Sequence, residues 1–459
     1  MNIFKILFSL SIILSLFISC ESSSSSAGVT SLLPFISGGT DSGENPGTGG
    51  GGSSNCSNGT IADLIGTDDT DPEAISKDFS GNLYLTGEST NDLGGNSVNS
   101  YKNPFVIKYR SNYLCKEWTI VLDDPAGNGG TTSNVFADSN GNVYVSGLTN
   151  GNLEGKTCSG SCTFIGKLDS NGAVLWIKIF PEVFSKTNIA LDPSGNIYWV
   201  GSTGAAINGQ AATGLNDVFI QKIEPDGDLS TTVRLGNAGT STVPYSVTID
   251  SNGNLYLAGL TGYTLEGETS SVSTNLFVTK YNSNLALQWV RLSSYTNMVG
   301  QVGSLYPRGI TTDSSGNIYL VGDSSIQGDI DGQSGPGFEN IFTMKYNSSG
   351  TKQWTRTLGE LSGSAGAASG GITVGPSGQI YILGRTSTVS FDSVPKIGNA
   401  DAFVTIYQPN GTKISTNRFG TSGTTYFPIG ITYGGSEGVY FGTVISNVTY
   451  DSKGKIISL

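Results

Sequence analysis

The chain has 459 residues, a formal net charge of −12, 65 glycines, only 13% charged residues and no histidine. The missing histidine excludes Ser-His-Asp and Cys-His catalysis and every His-ligated metal site, and the acidic balance argues against nucleic acid as a partner. A hydrophobic share of 37% can still build a large core, and the surplus of Gly, Ser, Thr and Asn favours strands and turns over helices.

Residues 1–20 read MNIFKILFSLSIILSLFISC. Lys5 supplies a positive start, and the apolar run 6–19 is short for a membrane-spanning helix, as in a signal peptide. Phe17-Ile18-Ser19-Cys20 resembles the lipobox of bacterial lipoproteins, where a lipid is attached to the cysteine and cleavage precedes it. Phe17 departs from the leucine that pattern prefers, and an ordinary secretory signal is the alternative. The resemblance implies an exported chain anchored in the cell envelope through Cys20, in the outer membrane, with Glu21 leaving the sorting open. Residues 21–58 are a Ser/Gly-rich linker, a flexible coil with an r.m.s. span of roughly 35 Å.

Beyond the linker one pattern returns seven times, with tyrosines at 84, 144, 198, 256, 319, 381 and 440. A full copy reads SVTIDSNGNLYLAG (246–259): a strand, a Gly-containing turn and a second alternating strand. A second half follows, as in FVIKY (105–109) and FTMKY (342–346), then a turn and a strand that carries Trp118, Trp176, Trp289 or Trp354 in four copies. Four strands per unit cannot bury both faces alone, but units arranged radially can. The expected fold is all-β: a seven-bladed propeller of four-stranded blades over 59–459. The pattern D-x-x-G-N-x-Y-x-x-G … F-V-x-K-Y … G-x-x-x-W resembles the bacterial SBBP propeller repeats and, more distantly, NHL repeats. That resemblance implies the fold and leaves the activity open.

The last copy has strands at 430–434 and 438–442, a third at 447–451, and only 455–459 beyond. The stretch 59–66 matches an outer strand with its preceding turn, so the N-terminus is expected to complete the last blade. The alternative places 455–459 as the outer strand and 61–66 as an extra edge strand.

Asp78, Asp138, Asp192, Asp250 and Asp313 end the first strands in turns too short for an EF-hand-type calcium loop; they read as turn-forming groups. The recurring Lys108, Lys167, Lys222, Lys280 and Lys345 read as solvated or as capping the blade rims. A residue repeated around a ring reads as scaffold, so a site should lie where the copies differ. Those places are the long loops between second and third strands and the segments just before each first strand. Near the mouth of the central channel they offer Asp71, Glu73, Asn134, Lys186, Asn188, Tyr245, Tyr306, Arg308, Tyr426 and Phe427. Glu73, Asn134, Asn188, Tyr245, Tyr306, Arg308 and Tyr426 are the ligand-binding candidates, for a glycan or a protein. The competing reading is a wet, polar channel mouth. No catalytic residue, metal site or cofactor is assigned. A His-independent lyase or hydrolase, or a purely structural envelope protein, remains the alternative to a monomeric binding module. Asp329-Ile330-Asp331-Gly332 offers only a weak calcium signal. Cys158 and Cys162 are expected to pair within one loop, and Cys56 with Cys115 across the seam between the last and first blades.

Overall fold

The structure is a computed structural model. It describes residues 61–63, 70–90, 93, 102–110, 115–122, 128–181, 184–296, 302–324, 329–334, 340–359, 367–434, 438–446 and 452–459. Cys20 and Cys56, the leader and the linker lie outside the described residues, as do the side chains of Cys115 and Lys186.

The described strands form seven four-stranded antiparallel sheets, besides several two-residue hairpins. The architecture is an all-β propeller of four-stranded blades. In sheet 1 the strands run Thr70–Lys77, Leu83–Ser89, Asn103–Arg110 and Cys115–Val121, from inside outward. The inner strands of sheets 2 to 7 are Gly130–Ala137, Ser185–Leu191, Val243–Ile249, Leu305–Thr312, Ala367–Val374 and Thr425–Tyr433. Each inner strand packs against that of the next sheet, and Thr425–Tyr433 returns to Thr70–Lys77.

The last sheet joins both ends of the described chain. Its third strand is Ser452–Ser458, and Ile61–Asp63 is its outermost strand, in register Ile61 to Ile457 and Asp63 to Lys455. The third strand expected at 447–451 is therefore displaced toward the C-terminus. Leu459 extends the pairing through two backbone bonds with Val439.

The repeat is a packing rule between sheets. The fully buried side chains include Tyr84, Tyr144, Tyr198, Tyr256 and Tyr319, and Phe105, Phe164, Phe219, Phe277 and Phe342. Each such phenylalanine sits opposite the glycine of Y-x-x-G on the neighbouring strand, as Phe277 does opposite Gly259. A Cβ on Gly259 would stand 2.5 Å from the Phe277 ring, and one on Gly384 would stand 2.4 Å from Phe403. The glycine is thus needed for close approach, and the core lies between sheets, joining residues such as Tyr84 and Val106 to Val143 and Phe164.

The turn aspartates are structural. Asp250 accepts from the Asn254 N–H at 2.9 Å, the Asn254 side chain at 2.8 Å and the Tyr256 hydroxyl at 3.0 Å. Asp78, Asp138, Asp192 and Asp313 repeat the arrangement. Burial pushes the Asp313 carboxyl up, but donors from Asn317, Tyr319 and Ser315 outweigh it and hold its pKa below the ordinary carboxylate value.

Four of the five recurring lysines, Lys108, Lys167, Lys280 and Lys345, belong to an inter-sheet clasp. Lys345 lies 5.1 Å from the Tyr319 ring centre, and its Nζ donates to the Pro409 carbonyl at 3.1 Å. Trp354 Nε1 donates to the same carbonyl at 3.2 Å. Lys108 and Trp118 share Ser170 O, Lys167 and Trp176 share Pro225 O, and Lys280 and Trp289 share Ser348 O. In every case the carbonyl belongs to the following sheet.

Candidate functional site

The repeat breaks at one end of the inner strands. Each carries a register shift near its start, for instance between Pro72 and Ala74, Pro244 and Ser246, Pro307 and Gly309, and Pro428 and Gly430. A bulge adds an unpaired residue and re-aims its side chain, and proline is tolerated beside one. Glu73, Ser133, Tyr245, Arg308, Gly370 and Ile429 occupy the bulge position. Bulges place Glu73, Tyr245 and Arg308 at one level of the mouth, on the side of the long loops.

The residue after the bulge serves a different purpose. Asn134 Nδ2 donates to Thr187 O at 3.3 Å, and Asn188 Nδ2 donates to Tyr245 O at 3.4 Å. Ser246 Oγ accepts the Ile310 N–H at 3.1 Å. Asn134 and Asn188 thus tie neighbouring inner strands together. Tyr426 is corrected as a candidate: it is only 6% exposed, with its hydroxyl 2.9 Å from Thr421 Oγ1, whereas Phe427 beside it is 41% exposed. Alternation along the strand puts one ring in the core and the next in the mouth.

Two sides of the mouth differ in charge. At sheet 1, Lys102 Nζ bonds both Asp71 and Glu88, the latter at 3.0 Å. Burial disfavours its charge, but these bonds prevail and hold its pKa above the ordinary value. Glu73 stands beside them, its carboxyl pushed up by burial and then by Glu88 and Asp71, with Lys102 opposing.

At sheets 5 to 7 a cleft of about 270 Å³ is lined by Arg308, Asp323, Ser369, Arg385, Phe427 and Pro428 among others. Arg308 Nε bonds Asp323 Oδ2 at 2.7 Å. The other oxygen of Asp323 accepts the Ser369 N–H and hydroxyl, each at 2.7 Å. The Arg385 guanidinium lies 4.8 Å from the centre of the Phe427 ring. Tyr245 and Tyr306 stand near Arg308: burial pushes the Tyr245 hydroxyl up, Tyr306 adds to this, and Arg308 opposes it. A second groove of about 430 Å³ is lined by Tyr245, Leu215, Leu260 and Tyr263 among others.

Asp323 and Arg385 are absent from the candidates read in the sequence. Their signal is the residue directly after the glycine of Y-x-x-G: Glu88, Leu148, Ser202, Leu260, Asp323 and Arg385. That position pairs with the inner strand beside the bulge, as Asp323 does with Tyr306 and Arg385 with Ala368.

The weak calcium signal is accounted for by other contacts. Asp331 sits at positive φ in a tight hairpin, and its Oδ2 is taken by Lys352 Nζ at 2.8 Å and Thr355 Oγ1 at 2.6 Å. Asp392 is bonded likewise by Lys413 and Thr416. These contacts fasten each loop to the outer strand of its own sheet. Cys158 and Cys162 are disulfide-bonded in the sheet 2 loop, with Cα atoms 6.2 Å apart.

Taken with the fold, this site defines a β-propeller with a cationic, aromatic cleft at one mouth. The SBBP model, described as a beta-propeller repeat, matches residues 232–262 and 288–328. No curated protein matches the sequence. Among solved structures, a PL25 polysaccharide lyase, an ulvan lyase, is similar at 10% identity and TM-score 0.50, covering 86% of this chain and 95% of its own. The polysaccharide lyase Uly1 is 9% identical at TM-score 0.50, over 84% and 90%. The β-propeller domain of the Trilobed protease from Pyrococcus furiosus is 10% identical at TM-score 0.45, over 86% and 94%. At such identities the likeness is one of fold.

Proposed function

We propose that the protein is a lipid-anchored envelope module whose seven sheets are the blades of one ring, and which binds a glycan strand across its long-loop mouth. The observation that carries the reading is the grouping of Tyr245, Tyr306 and Arg308, with Arg308 and Phe427 lining one cleft and Tyr245 and Tyr263 lining another. Aromatic rings set beside polar donors suit a sugar face edged by hydroxyls. The leader ending in Cys20 supports export and anchoring, and the linker 21–58 supports a tethered domain.

A lyase is the second reading, supported by the fold likeness to two polysaccharide lyases. Against it, the chain has no histidine to act as a base, and burial raises the Tyr245 pKa, so its phenolate is scarce near neutral pH.

One experiment addresses both anchor and mouth. Cys20→Ser should move the full chain from the membrane to the soluble fraction, where it should still bind oligosaccharides on a glycan array. Tyr245→Ala combined with Phe427→Ala should weaken that binding about tenfold or more. A Cys20→Ser protein that stays with the membrane removes the anchor, and binding unchanged by the ring substitutions removes the mouth. Appearance of an unsaturated uronate in the ultraviolet would favour the lyase.

A further inference from the structure

We propose that the cleft between Arg308 and Arg385 takes an anionic sugar residue, so that the glycan bound at the mouth is an acidic polysaccharide recognised through its carboxylate or sulfate groups. The proposal rests on the glycan-binding reading above and names its substrate class.

The argument begins with how this chain uses its other arginines. Arg418 is fully buried, bonded to Asp401 at 2.6 Å and to the carbonyls of Val394 and Thr388. Arg234 donates to the carbonyls of Thr203, Ala205 and Gln210. Arg356 donates to those of Gly411, Thr355 and Asn410. A guanidinium has five N–H donors, and in these structural positions most are engaged.

The cleft arginines are different. Among the described residues Arg308 bonds through Nε alone, and its side chain is 46% exposed. Arg385 makes no ion pair among the described residues; its contact is the Phe427 ring. Stacking on a ring fixes a guanidinium while leaving its in-plane donors for a ligand. Asp323 fixes Arg308 in turn, and is itself pinned by the Ser369 N–H and hydroxyl. Two preorganised guanidiniums with spare donors line one cleft of about 270 Å³. An oxyanion is the group that matches them, through paired N–H···O bonds.

The shape favours a sugar over an acidic peptide. An extended peptide gains its affinity by adding to an exposed strand edge. Here each inner strand is interrupted by a bulge at the mouth, which spoils such pairing.

The test uses the full lipidated chain in detergent, with four probes: oligogalacturonate for carboxylate, dextran sulfate for sulfate, cellohexaose as the neutral control, and polyglutamate. At least one anionic saccharide should bind tenfold or more tightly than cellohexaose, more weakly as salt rises. Arg308→Gln with Arg385→Gln should abolish that preference in a chain that still melts cooperatively, at a temperature lowered by the loss of the Asp323 partner. Arg385→Gln alone, which leaves no carboxylate without its partner, should remove about half of it on a logarithmic scale.

Equal binding of neutral and anionic saccharides, or a preference that survives the double substitution, overturns the anionic assignment and leaves glycan binding standing. Polyglutamate binding with no saccharide binding overturns both, as does failure of all four probes.

Discussion

Glu73 and Arg308 hold the same bulge position in sheets 1 and 5 and carry opposite charge. The Glu73 carboxyl is pushed up by burial and by its acidic neighbours, so the folded chain holds that proton more firmly than the unfolded chain does. For an acid with a raised folded pKa, stability is fully present below the unfolded value and is lost as pH rises through the folded one. Glu73→Gln should therefore raise the melting temperature at neutral pH. That gain should vanish below about pH 4, where the glutamate is neutral in both states. Thermal melts of both proteins across this range check it; an equal gain at acidic and neutral pH would sink the assignment. The scaffold residues were legible because they recur: Asp250, Asn254, Gly259 and Phe277 each have one job, repeated. The site residues were half legible. Arg308 and Tyr245 stand out before a strand, whereas Arg385 follows a repeat glycine and reads as part of the strand. The bulge that re-aims these side chains leaves no fixed residue, being glutamate, serine, tyrosine, arginine, glycine or isoleucine.

At the scale of the element, the inter-sheet clasp explains a departure that the sequence alone presents as noise. Sheet 3 has Thr231 opposite Lys222, where four other sheets have tryptophan. The following outer turn ends in Leu285, at φ 58°, where the equivalent turns have glycine. A Cβ on Gly350 would stand 2.8 Å from Trp289, so glycine is required under a tryptophan. With no tryptophan above it, Leu285 is free to have a side chain, and it is 4% exposed within the core between sheets 3 and 4. The leucine offsets its strained backbone by filling that space. Leu285→Gly should cost about 2 kcal/mol through the cavity it leaves. Thr231→Trp alone should cost a similar ~1–3 kcal/mol by overpacking against Leu285. The double variant should recover most of both losses, since it rebuilds the clasp of its neighbours, with a coupling of about 1–3 kcal/mol. Urea titrations of the four proteins measure it, and strictly additive losses would refute the relation. Sheet 6 lacks both partners as well, with Ile406 and Ser415 in their places. There the next sheet passes to its outer strand by using the other end of the chain, so a continuous outer turn to grip is missing.

At the scale of the whole molecule, six sheets are each built from one contiguous stretch of chain, and the seventh is not. The expectation that 59–66 supplies an outer strand matches the backbone pairing of Ile61–Asp63, while the third strand lies at Ser452–Ser458 rather than 447–451. The displacement has a physical source: the last copy is worn, and its register is set by partners on both sides rather than by its own pattern. Deleting 59–66 exposes the edge of Ser452–Ser458 and should lower the melting temperature by a few degrees, with aggregation through that edge. Scanning calorimetry with light scattering tests this, and an unchanged melt would mean that the pairing contributes nothing.

The same pairing sets a timetable. Ile61 and Ile457 are 396 positions apart, whereas the partners within sheet 4 all lie between residues 243 and 293. Local sheets can form as soon as their own residues leave the ribosome or a translocation pore, but the seventh must wait until Ser452–Ser458 has emerged. Until then the core surfaces of the first and last sheets face solvent, and the emerging chain is most exposed to proteases and to its own neighbours in the interval before that sheet closes.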